Sequence, residues 1–168
     1  ASMDEDKKDL AKRFFTLLYL FLTRKYDEVD LVFIRHTDDA EEVDEDRFFH
    51  DTRSGGTVVL SALELAEKIR RERYATGWNV YAAQASDGDA FGADPARSAR
   101  FLREHLLPAT RYYTYLELAA PSTHERSSTL WAEYERIAES TRNFAMRRAS
   151  ERDQIYPVFR DLFKKDSQ

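Results

Sequence analysis

WNVYAAQASDGDAFGADP, residues 78–95, decides the fold. Trp78–Ala85 is apolar enough to lie inside a sheet, so it reads as a buried strand. Ser86–Asp94 is a Gly/Asp loop, where glycines let the backbone turn sharply. Asp94-Pro95 then opens a helix, with Asp as N-cap and Pro at the first helical position. Strand, loop and helix in this order form the repeating unit of a wound α/β sheet. In such sheets ligands bind in loops at the C-terminal ends of the strands.

The same alternation extends in both directions. On the N-terminal side, Asp4–Lys25 reads as a helix, with Phe14, Leu17, Leu18, Phe21 and Leu22 at three- and four-residue spacing. Ser2 or Asp4 is its candidate N-cap. Val29–His36 reads as a buried strand, Thr37–Glu42 as a polar turn and Glu41–Val43 as a short edge strand. Asp51–Gly56 is a loop. A helix follows from Thr57 to Arg70–Tyr74, with Val59, Ala62, Leu63, Ala66 and Ile69 on one face. On the C-terminal side, the helix opened by Asp94 carries Phe101, Leu102, His105 and Leu106. Arg111–Leu118 is a strong strand and Thr129–Ser140 a helix with Leu130, Trp131, Tyr134 and Ile137 inward. Asn143–Ala149 is a last short strand, and Asp153–Lys165 a closing helix with Pro157 early in it. The expected fold is therefore α/β: a doubly wound, mostly parallel, Rossmann-like sheet with helices on both faces.

Composition narrows the function. The chain has 168 residues, enough for a single domain, and 42% of them are hydrophobic, enough for a sizeable core. The net charge of −5 disfavours general nucleic-acid binding. Cysteine is absent, which excludes disulfide scaffolds, thiolate nucleophiles and Cys-ligated zinc. No stretch approaches the roughly 18 apolar residues of a membrane span. No export signal is legible, so a cytoplasmic location is expected. The start at Ala1-Ser2-Met3-Asp4 reads as that of a fragment of a longer chain.

Three features could carry chemistry. Ser54-Gly55-Gly56-Thr57 ends a glycine pair in a hydroxyl at a helix start. Ser86-Asp87-Gly88-Asp89 follows a buried strand. Ser2 precedes the first helix. Ser, Thr and Asp supply the hard oxygens that Mg²⁺ prefers. Each also has a plain reading, as a turn or a cap. Asp87 is the favoured ligand of the acidic pair, with Asp89 shaping the loop. The pair also invites a phosphohydrolase reading, since it resembles the paired aspartates of haloacid-dehalogenase-type phosphatases. One Asp would attack phosphorus while the other served as acid and base. Phe91 breaks that motif, and it also stands where an EF-hand needs an oxygen ligand. The histidines, His36, His50, His105 and His124, are scattered. His36 is assigned a structural role, and His105 is expected to pack on its helix. The acidic run Asp38–Asp46 reads as a solvated hairpin, and Tyr112, Tyr113 and Tyr115 as core packing.

Ser54–Thr57 leading into VVLSALELA, and AAQASDGD after a strand, resemble two sequence marks of von Willebrand factor A-type domains. More closely, AKRFFTLLYLFLTRKY, VFIRH, SGGTVVLSAL, NVYAAQASDGD, LLPATRYYTYLEL, LWAEYE, NFAM and IYPVFRDLF resemble the YeaH/YhbH family of uncharacterised bacterial proteins. The resemblance spans nearly the whole chain. It implies a single von Willebrand A-like domain over residues 1–168, lacking its first, central strand. It also implies a metal-ion-dependent adhesion site in which Ser2 is the last serine of an Asp-x-Ser-x-Ser loop, Thr57 the threonine ligand and Asp87 the distant aspartate. The leading Asp and first Ser of that loop would precede Ala1. The implied cofactor is Mg²⁺ or Mn²⁺, weakly held or not held by this length of chain. The implied role is a non-catalytic interaction module for a protein offering a carboxylate. A PrkA-type serine kinase or a SpoVR-like protein, in a stress or sporulation pathway, is the expected partner. Phosphohydrolysis through Asp87 and Asp89, or a metal-free structural module, are the alternatives.

Overall fold

The computed structural model describes residues 5–36, 39–50, 58–90, 92–119 and 128–164. Its elements, in chain order, are α1 (Glu5–Lys25), β1 (Phe33–His36), β2 (Ala40–Val43), α2 (Glu45–His50), α3 (Val59–Arg73), β3 (Tyr81–Ser86), α4 (Asp94–Phe101), β4 (Tyr112–Leu118), α5 (Thr129–Ser140), β5 (Phe144–Ala149) and α6 (Arg152–Leu162). A π-turn (Leu102–Leu106) and a 3₁₀ turn (Leu107–Ala109) carry α4 down towards β4.

β3, β4 and β5 form a three-stranded parallel sheet in that order. Parallel neighbours need a crossover, and here α4 and α5 supply it. β1 and β2 form a separate antiparallel pair, from Phe33↔Val43 to His36↔Ala40.

β4 shows how the sequence builds two faces. Side chains alternate across a strand. Tyr113 and Tyr115 enter a core made with α3, α4 and α5, including Leu63, Leu102, Leu130, Tyr134 and Ile137. Leu116 and Leu118 point the other way, into a core with Leu10 and Phe14 of α1 and Ile155, Phe159 and Leu162 of α6. Helices thus cover both faces of the parallel sheet, as the alternation of elements implies. Tyr112, Tyr113 and Tyr115 all pack in these cores, against Phe163, Phe144 and Tyr134 respectively.

The structure departs from the sequence reading in five places. The buried strand expected over Trp78–Ala85 starts only at Tyr81, is half-buried along its length with β4 on one side only, and leaves Trp78 48% exposed. The strand expected over Val29–His36 is paired only from Phe33, because its partner β2 ends at Val43. Part of the acidic run is helical: α2 starts at Glu45 and is capped by Asp44, whose Oδ1 accepts from the Arg47 N–H at 2.8 Å. Asp94 does not cap its own helix. It is the first residue of α4, and its carboxylate caps α3 instead, accepting from Val59 N–H at 2.9 Å and Leu60 N–H at 3.2 Å. Pro157 lies inside α6, past the first turn, where its missing N–H leaves one helical carbonyl without its usual donor.

Candidate functional site

Strand register assembles the site. Ser86 stands opposite Glu117, and Glu117 opposite Arg148. In a parallel sheet such partners share a face, so these three form a row across the C-terminal rim on the α5 side. The residues after Ser86 then turn the chain over the rim.

Glu117 is the centre of this row. Its side chain is only 3% exposed. Its Oε1 accepts from the Tyr115 hydroxyl at 2.9 Å and from the Ser128 hydroxyl at 2.5 Å, while Arg148 Nε lies 3.4 Å from Oε2. Ser128 is also the N-cap of α5, accepting from Trp131 N–H at 3.0 Å. The Arg148 guanidinium sits 4.0 Å from the centroid of the Trp131 ring, a cation–π contact that holds it over the rim. Burial pushes the Glu117 carboxyl above its usual range, against the opposing pull of Ser128, Tyr115 and Arg148.

Gly88 presses directly on this hub. It is buried with φ at +79°, and a Cβ there would lie 2.1 Å from Glu117 Oε1 and 2.2 Å from Ser128 Oγ. Only glycine meets both conditions. The loop is tied further by Gly88 N–H to Ser86 Oγ at 3.0 Å and Asp89 N–H to Asp87 Oδ1 at 3.0 Å.

Asp87 stands apart from the hub. Its side chain is 5% exposed, and Lys7 Nζ of α1 lies 4.0 Å from Oδ2. That oxygen is buried and accepts no hydrogen bond. Asp89 is exposed. One oxygen of Asp87 therefore holds the loop, and the other lies beside a positive charge.

Of the three sequence-predicted ligands, the structure places Asp87 at the end of β3 on the rim. Ser2 and Thr57 lie outside the described residues, as do Phe91 and His124. Among the described residues, Asp87 is the one member of the predicted ligand set, and its Oδ2 faces the Lys7 ammonium. Among the described residues no group of three or more His, Asp or Glu comes together as a metal nest. His36 ends β1, half-buried. Burial pulls its imidazole below the usual range, opposed by Asp94 and Asp39. His105 packs on Phe101 one turn back, with ring centroids 4.7 Å apart, in line with the sequence reading.

Sequence reasoning missed Glu117, Ser128 and Arg148. The legible signal was one acidic residue inside the otherwise apolar YYTYLEL strand. A charged residue is almost never fully buried unless paired, so its partners were there to be sought. A concavity of ≈590 Å³ lies elsewhere, along β5 beside Thr141, Arg142, Phe144 and Met146. The row's chemistry, rather than concave volume, marks the candidate site.

The family described as "Protein of unknown function (DUF444)" matches residues 1–166. The chain belongs to this family. It is also the family that the sequence resembles under the name YeaH/YhbH. A UPF0229 protein of Thiobacillus denitrificans is 53% identical over 165 residues, covering 98% of this chain and 38% of that protein. UPF0229 proteins of Pectobacterium carotovorum and Vibrio parahaemolyticus are each 51% identical over 167 residues, again covering 38% of their own length. The chain thus spans well under half of these relatives. No solved structure matches it. Among the described residues no helix is long and apolar enough to cross a membrane.

Proposed function

We propose that this domain of the DUF444 family is a non-catalytic protein-interaction module whose rim holds a divalent ion, Mg²⁺ or Mn²⁺. The observation that carries this reading is Asp87, a buried carboxylate at the C-terminal end of β3 with one oxygen that accepts no hydrogen bond. A buried carboxylate oxygen needs a compensating charge, and a hard cation is the strongest available. Under this reading Ser2 and Thr57 complete the ligand set. An open coordination position would then take a carboxylate from a partner protein, with the ion's charge supplying affinity. A PrkA-type serine kinase or a SpoVR-like protein, in the bacterial cytoplasm, is the partner this reading favours.

The same reading makes the sheet a doubly wound, von Willebrand A-like one. A further strand, from chain outside these residues, would lie between β1 and β3. Two facts support it. Among the described residues β1 and β3 are each paired on one side only. β3 is half-exposed along its whole length, whereas β4 is buried from Tyr113 to Leu118. The phosphohydrolase alternative needs Asp87 and Asp89 to act as a pair, and the exposure of Asp89 away from buried Asp87 gives it less support.

Isothermal titration of Mn²⁺ and Mg²⁺ into the full-length protein tests the proposal. The expected result is one saturable site that Asp87→Ala abolishes. Binding that Asp87→Ala leaves intact would overturn the assignment, as would no binding at all. Turnover of phosphoester substrates that depends on both Asp87 and Asp89 would return the phosphohydrolase reading.

A further inference from the structure

We infer that Lys7 is a tethered counter-ion that occupies the cation position at Asp87 and must yield it when a divalent ion binds. The inference rests on the metal-rim reading and adds the residue that sets the site's affinity. Its basis is the juxtaposition of an ammonium on the first turn of α1 with a buried carboxylate oxygen that accepts no hydrogen bond.

The geometry suits exchange. A separation of 4.0 Å lies beyond hydrogen-bond reach, so Lys7 offsets the charge of Asp87 without donating a proton to Oδ2. The ammonium is a compact point charge on a flexible four-carbon stem, able to swing aside without moving α1. Asp87 itself is held: its Oδ1 takes the Asp89 N–H, and the following Gly88 is wedged against Glu117 and Ser128. The carboxylate is held by its loop, and the ammonium, on a long stem, is not hydrogen-bonded to it. The rim therefore holds either the monovalent side chain or a divalent ion, and never carries an uncompensated buried charge. Lys7 weakens metal binding at rest and offsets the Asp87 charge in the metal-free domain.

The test uses the full-length protein and two readouts, Mn²⁺ affinity by titration calorimetry and the unfolding midpoint with and without Mn²⁺. Lys7→Met keeps the length of the stem and removes the charge. It is expected to lower the metal-free midpoint, to tighten Mn²⁺ at least threefold and to enlarge the rise in midpoint on adding Mn²⁺. Lys7→Gln, a milder change should Lys7→Met fold poorly, is expected to act in the same direction. Lys7→Arg retains the charge and is expected to bind Mn²⁺ no more tightly than the wild type. Adding Asp87→Asn to Lys7→Met is expected to remove the Mn²⁺ response. If Lys7→Met and Lys7→Gln bind Mn²⁺ as the wild type does, the counter-ion role is wrong while the metal rim stands. If neither the wild type nor the Lys7 variants bind Mn²⁺, the metal rim falls and the exchange falls with it.

Discussion

Glu117 and Asp87 are buried carboxylates at the ends of adjacent strands, yet their surroundings differ. Glu117, 3% exposed, is met by two hydroxyls, a guanidinium and the close-packed backbone of Gly88. Asp87, 5% exposed, has one oxygen tied to its own loop and the other facing Lys7 across 4.0 Å. A buried carboxylate with its hydrogen bonds made locks a structure. One with a bare oxygen holds affinity for a cation in reserve. The two therefore differ in role: Glu117 fixes the loop, and under the proposed reading Asp87 is what the loop presents.

The sharpest way to break this comparison is Glu117→Ala. It leaves Ser128, Tyr115 and Arg148 facing a void, and unfolding in urea is expected to show a loss of about 3–5 kcal/mol. Glu117→Gln keeps an acceptor for both hydroxyls and is expected to cost far less. The two variants also separate charge from shape through pH. The folded pKa of Glu117 lies above its unfolded value, so the folded state binds the extra proton. Its contribution to stability is therefore full below the ordinary glutamate pKa and falls as pH rises through the folded value. Stability measured from acid to neutral pH should lose this falling component in Glu117→Gln. An unchanged profile would mean that the carboxyl does not titrate as its burial requires.

Next in size is Gly88→Ala. It forces a side chain into positive φ and into the space of Glu117 Oε1 and Ser128 Oγ, with an expected cost of about 2–3 kcal/mol by thermal or urea unfolding. Asp94→Ala removes the α3 cap and is expected to cost about 1 kcal/mol by the same measurement. Asp87→Asn is expected to change stability by less than about 1 kcal/mol, because it removes a charge that Lys7 offsets at range. If Asp87→Asn proved as damaging as Glu117→Ala, the division of work between the two carboxylates would be wrong.

Much of the fold could be read from local pattern. The apolar run ending at Ala85 and the tyrosine-rich run 112–118 fall on β3 and β4, and helices line both faces of the sheet between them. Where the reading failed, the cause was a partner distant in sequence. The strand before His36 is shorter than its apolar run because β2 pairs only back to Phe33. Asp94 precedes a proline, as an N-cap does, yet its carboxylate caps a helix that begins 35 residues earlier. α2 hid in an acidic run whose caps were themselves acidic, although Asp44 three residues before Arg47 carried the signal. At the rim, Asp87 was legible because a Gly/Asp loop after an apolar strand is a local signature. Glu117 was not, because its role depends on Gly88 and Arg148, 29 and 31 residues away.

The amino-acid sequence by itself determined the order of the strands and of every helix but α2, since helical and strand periodicities are local properties of the chain. It also determined that an acidic, glycine-bearing turn would follow the strand ending near Ala85. Only the tertiary structure decided which acid is locked and which is left open. That choice follows from strand register, which sets Ser86, Glu117 and Arg148 in one row, and from the packing of α1, which brings Lys7 to Asp87. Register and helix packing are settled by burial of the two cores on either side of β4, a property of the whole assembly rather than of any segment.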